Sequence, residues 1–153
     1  MRVPTEAEWG DYQADLDQDD AHKMFAGRTN QEMLPHFRRN VIERTGELRW
    51  MPQIPFRYYM LGFRDFVLAG ESEYLGASDA ASCFLGLVLE KVEKQPDYIL
   101  PIMPELLPAL RHLAQSQAVF GAAKSIYGNF CDKLAQIERL CHGKDLSEVI
   151  AAL

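Results

Sequence analysis

The sequence predicts an all-α fold: a single-domain bundle of about six to eight short helices, with a buried central helix near residues 78–94. Three observations carry this. Cap and turn signals recur at intervals suited to short helices. Apolar residues fall at spacings of three and four, and no stretch shows the sustained alternation that half-buried strands require. At 153 residues one domain is the expectation, large enough to bury roughly 70% of the surface its unfolded chain exposes.

The elements follow in order. Residues 1–20 form an acidic N-terminal arm ahead of a helical domain over 21–153, and Trp9, Tyr12 and Leu16 are spaced to share one helical face. Residues 18–26 make a short helix stopped by Gly27. Thr29 with Glu32, and Asn40 with Glu43, have the spacing of a cap and its reciprocal partner. The second of these helices closes before Pro52, because a residue preceding proline is pushed out of the α region. Pro52 and Pro55 bracket an elbow. Over 56–69, Phe56, Tyr59, Met60, Phe63, Phe66 and Val67 make one apolar face, and Gly70 stands where a helix terminator is wanted.

Ser78 is placed to cap the helix through Lys94, whose middle, Ala80 to Leu89, is apolar nearly all round and should be enclosed by neighbours. Pro96 stops it. Pro104 suits a first helical turn, whereas Pro108 predicts a kink or a later start in the segment running to Gln117. Residues 124–141 read as one helix with Ile126, Phe130, Leu134, Ile137, Leu140 and Cys141 on one side. A last turn is opened by Asp145 with Glu148.

Charge is localised. The formal net charge is -6, and Glu6, Glu8, Asp11, Asp15, Asp17, Asp19 and Asp20 against Arg2 alone account for all of it. Such a segment repels nucleic acid and anionic lipid and attracts a basic protein surface. No run of 18 uncharged apolar residues exists to span a bilayer, and the start lacks the apolar stretch of a signal peptide, so the expected compartment is the cytoplasm. Three cysteines in a scattered, odd set fit reduced thiols.

The search for chemistry is negative. His22, His36, His112 and His142 form no pair at metal-ligand spacing, and neither a phosphate-cradling glycine loop nor a serine nucleophile motif can be written through the chain. No catalytic residue, metal or cofactor is therefore expected. One constellation stands out: Arg38, Arg39, Arg44, Arg49, Arg57 and Arg64, with no lysine among them, accompany Trp50, Phe56, Tyr58, Tyr59 and Phe63. Arginines among aromatics suit an ion-pair network with Glu43, Glu47 and Asp65, a protein contact, or an anion pocket of Arg49, Arg57 and Arg64.

The stretch Leu48 to Phe66, with Ser78 to Leu85, resembles small uncharacterised bacterial proteins of the toxin-immunity type, over about the middle third of the chain. The resemblance implies a non-enzymatic cytoplasmic inhibitor of one antibacterial toxin, such as a nuclease effector delivered by type VI secretion. It transfers no residue roles. The localised charge makes the seven acids of 1–20 the expected binding residues of such an inhibitor, with the loop of Glu71, Glu73, Tyr74 and Asp79 as a second surface. Two other classes compete: a small helical anion- or ligand-binding protein or enzyme using the arginines around Trp50, and a homo-oligomeric adaptor. Both a monomer and a homodimer fit the sequence.

Overall fold

In the computed structural model, residues 1–69 and 76–143 are described, and they form nine α-helices joined by short turns. Before the first helix the chain makes two 3-10 turns, Glu6–Trp9 and Tyr12–Ala14. These turns correct the expected helical face. Trp9 goes into the core at 1% exposure, while Leu16 is 84% exposed. Gly10, at φ 62°, supplies the reversal between the two turns that a side chain would strain. The 1–20 segment is consequently part of the packed domain.

Helix α1 (Leu16–Phe25) starts two residues earlier than its pattern suggests, because the Asp15 carboxylate accepts from the amides of Asp17 (2.9 Å) and Gln18 (3.1 Å). Helix α2 (Asn30–Arg39) opens with the reciprocal Thr29–Glu32 cap. Helix α3 (Val41–Trp50) opens on Asn40, whose side chain accepts from the Glu43 amide at 3.1 Å, and it ends before Pro52. Helix α4 (Gln53–Ala69) begins three residues before its apolar pattern, since Pro55 falls within the first turn, where its missing N–H has no intrahelical partner to lose. The apolar face of α4 is buried as its spacing predicts.

Helix α5 (Ala77–Lys94) packs against α3, α4, α6 (Pro96–Ile99) and α9 (Phe130–His142), which makes it the spine of the bundle. Its cap differs from expectation. The helix begins one residue before Ser78, whose hydroxyl lies 3.1 Å from that of Tyr127. After a 3-10 turn at Leu100–Ile102, helix α7 (Met103–Gln115) runs through Pro108 on an exposed side.

The helix expected over 124–141 is two. Helix α8 (Lys124–Tyr127) stops at Gly128 (φ 76°), and Asn129 then caps α9. The break leaves Ile126 76% exposed. Buried Gln117 organises the connection: its amide nitrogen donates to the carbonyls of Ala122 and Gly128, and its oxygen accepts from the Phe130 amide. Gly70, Asp145 and Glu148 lie outside the described residues.

The core is aromatic where α1, α2 and α4 meet. Phe37 stacks on Phe63 at 4.9 Å, and Phe25 meets the edge of Tyr59 at 4.8 Å. The Tyr59 hydroxyl reaches two carbonyls at the end of α1, those of Phe25 (2.6 Å) and Arg28 (2.7 Å), and burial pushes its pKa up. Asn30 lies on Gly62 so closely that a Cβ there would stand 2.8 Å from the Cβ of Asn30, which is why α2 and α4 meet at a glycine.

Candidate functional site

Folding sorts the seven N-terminal carboxylates into two groups. Four have a local partner. Glu6 lies 2.9 Å from the His22 imidazole and accepts from the Tyr12 hydroxyl at 2.9 Å, while the Tyr12 and His22 rings stack at 3.7 Å. Glu8 accepts from Arg2 and from the Thr5 amide, which brings its carboxyl down to about 2. Asp15 caps α1, and Asp19 pairs with Lys23 at 3.0 Å.

Asp11, Asp17 and Asp20 have no ion-pair partner among the described residues, and Asp11 stands before the turn Tyr12–Ala14 without a side-chain cap bond. Asp17 and Asp20 face α3 across a groove of about 490 Å³ lined by Asp17, Asp20, Lys23, Met24, Glu43, Gly46, Glu47 and Trp50. The helical repeat builds this groove. Residues 17, 20 and 24 share one side of α1, and residues 43, 46, 47 and 50 share one side of α3, so packing the helices together aligns two acidic stripes that each end in an apolar side chain.

The groove holds more negative charge than its cations balance. Buried Arg44 donates to Glu47 at 2.7 and 2.8 Å and to Glu43 at 3.2 Å, fixing both acids on α3. Burial nevertheless pushes the Glu47 carboxyl up; Arg44 opposes this, and Glu43 and Asp20 add to it as like charges. Trp50 closes one end and is 53% exposed.

The remaining arginines do not converge on one pocket. Arg49 donates to Glu90 at 2.7 Å. Arg57 donates to the carbonyls of Asp97 (2.6 Å) and Tyr98 (3.0 Å), and Arg64 to the Glu105 carbonyl (3.1 Å) and to Asp65 (2.9 Å). They tie α3 to α5 and α4 to α6 and α7. Trp50 also borders a smaller cavity of about 120 Å³ with Arg49, Glu90, Lys91, Lys94 and Gln95. Lys91 is buried there. Its ammonium donates to the Arg49 carbonyl (2.7 Å) and to Gln95 (2.5 Å) and lies 4.9 and 4.8 Å from the ring centres of Phe56 and Tyr98.

Asp79 accepts from the Tyr127 hydroxyl at 2.8 Å and does not line the groove. Glu71, Glu73 and Tyr74 lie outside the described residues. Among the described residues no group of His, Cys, Asp and Glu has the arrangement of a metal site, and no helix is long and apolar enough to cross a membrane.

The sequence singles out Asp17 and Asp20 by charge but does not place Glu43, Glu47 and Trp50 opposite them, because these three fall within the arginine cluster. The matching acidic stripes on α1 and α3 were the available signal. Compared with known proteins, the chain matches no protein-family model, no curated protein and no solved structure.

Proposed function

We propose that the protein is a non-enzymatic binding module of the immunity type, which neutralises a basic toxin domain by occupying its cationic surface through the α1–α3 groove. The observation that carries the reading is the facing of Asp17 and Asp20 with Glu43 and Glu47 beside an exposed tryptophan. A carboxylate array of this kind competes for a cleft built to hold phosphates, and its field speeds capture of a cationic partner. A nuclease effector acting in the cytoplasm is the toxin such a surface fits best. Nucleic acid and anionic membranes are repelled by the same charge.

The test is co-expression with a basic toxin domain encoded by a neighbouring gene. A complex should form, the toxin's activity should fall, and D17N/D20N should weaken both effects. Failure of wild-type protein to bind or protect would refute the immunity reading.

A further inference from the structure

We propose that Trp50 is the anchor of this groove, and that it stacks a guanidinium group of the partner against its indole while the carboxylates of Asp17, Asp20, Glu43 and Glu47 receive the N–H donors. The inference rests on the groove being the binding surface, and it adds the chemical class of the contacting group.

Trp50 is 53% exposed at the end of α3, and among the described residues its indole has no stacked ring and no cation over its face. One helical turn back stands Gly46, which lines the same groove and where an added Cβ would meet nothing within 4 Å, so the groove is open at that position. Met24 gives the opposite wall an apolar patch. The site therefore offers a flat aromatic face, an open groove and a rim of acids, the surroundings a planar cation with an apolar stem can satisfy all at once.

Charge points the same way. Of the four lining carboxylates only Glu43 and Glu47 have a guanidinium partner, and that partner, Arg44, belongs to the protein's own α3. Arg44 shows that this environment already accepts guanidinium in bidentate geometry. Arginine exceeds lysine here because its planar group stacks and keeps its N–H donors in the ring plane, free for two carboxylates, whereas an ammonium is a strongly hydrated point charge.

The experiment titrates the full chain with hexa-arginine and hexa-lysine peptides at low salt, reading tryptophan fluorescence; Trp9, sealed in the core, contributes a constant background. Wild type should bind hexa-arginine more tightly than hexa-lysine. W50A should weaken hexa-arginine about two- to fivefold, the range of an exposed cation–π contact, and change hexa-lysine less. The same titrations by calorimetry supply affinities for the variant without its reporter, and unchanged melting shows it is folded. If D17N/D20N weakens both peptides while W50A weakens neither, the acidic groove stands and the anchor is refuted. Equal weakening of both peptides by W50A also refutes guanidinium selection. If neither peptide binds wild type, the groove reading falls with the anchor.

Discussion

Lys91 gives the structure a pH signature of its own. Only 2% exposed on α5, its ammonium is pushed down to about 8 from an ordinary value of 10.5, chiefly by burial. The neighbouring Glu90 opposes the shift, and Arg49 adds to it. Between those two values the unfolded chain holds the Lys91 proton and the folded chain has released it. The unfolded state then binds more protons, and this group makes folding more favourable as pH rises from 8 towards 10. A fully realised difference contributes at most about 1.4 kcal/mol per pH unit, or about 3 kcal/mol over the window.

Other groups titrate nearby. Burial raises Cys83 and Tyr59, whose native states keep their protons longer and which therefore destabilise the fold as pH climbs past their ordinary values. Comparison with K91M removes them, since they are common to both proteins. The assay is urea unfolding of wild type and K91M at pH 7, 8, 9 and 10. The variant loses the bonds to Arg49 and Gln95, so the curves should be offset, and the stability of wild type should climb relative to K91M with pH. Parallel curves would refute the burial argument. A fall in wild type relative to K91M would reverse its sign.

Other consequences follow from packing. Trp9→Ala should cost about 3–5 kcal/mol in chemical denaturation, as for other buried tryptophans, and a cost under about 1 kcal/mol would mean the N-terminal segment is not part of the core. Gly62→Ala drives a methyl group into Asn30 and should cost about 1–3 kcal/mol, while N30A/G62A should recover part of that loss through double-mutant coupling. A thermal-shift panel of phosphate, nucleotides and organic acids should give no stabilisation attributable to Arg57 or Arg64, whose guanidinium groups are engaged by main-chain carbonyls. A saturating anion at a hundred times its dissociation constant would instead add about 2.7 kcal/mol and favour the ligand-binding alternative.

Local signals in the chain carried much of this fold. The Thr29–Glu32 cap, the apolar face of α4 and the all-round apolar centre of α5 are written within single helices, where spacing alone determines which side chains turn inward. What stayed hidden depends on contacts between distant segments. Trp9 could not be recognised as core because Tyr59, which it approaches at 6.3 Å, lies fifty residues away. The break at Gly128 was obscured because Ile126 continues the apolar spacing of α9 although it faces solvent. Lys91 carries no local mark of burial, because the carbonyl of Arg49 and the rings of Phe56 and Tyr98 that enclose it come from other segments.

The candidate site shows the same division. Net charge drew attention to residues 1–20, yet four of those seven acids are engaged within their own segment or α1. The groove arises only when α1 is laid on α3, an event no local pattern encodes. This also changes how the surface must be probed. Deleting the acidic segment removes Trp9 and the cap of α1, so neutralisation in place is the cleaner perturbation.

The most direct measurement is the salt dependence of binding to the cationic toxin domain proposed as partner, by calorimetry, for wild type and for D17N/D20N. If the groove is the contact surface, wild-type affinity falls steeply with added salt, and the double variant binds more weakly with a flatter slope. Superimposable affinities and slopes for the two proteins would contradict the assignment of the α1–α3 groove as the binding surface.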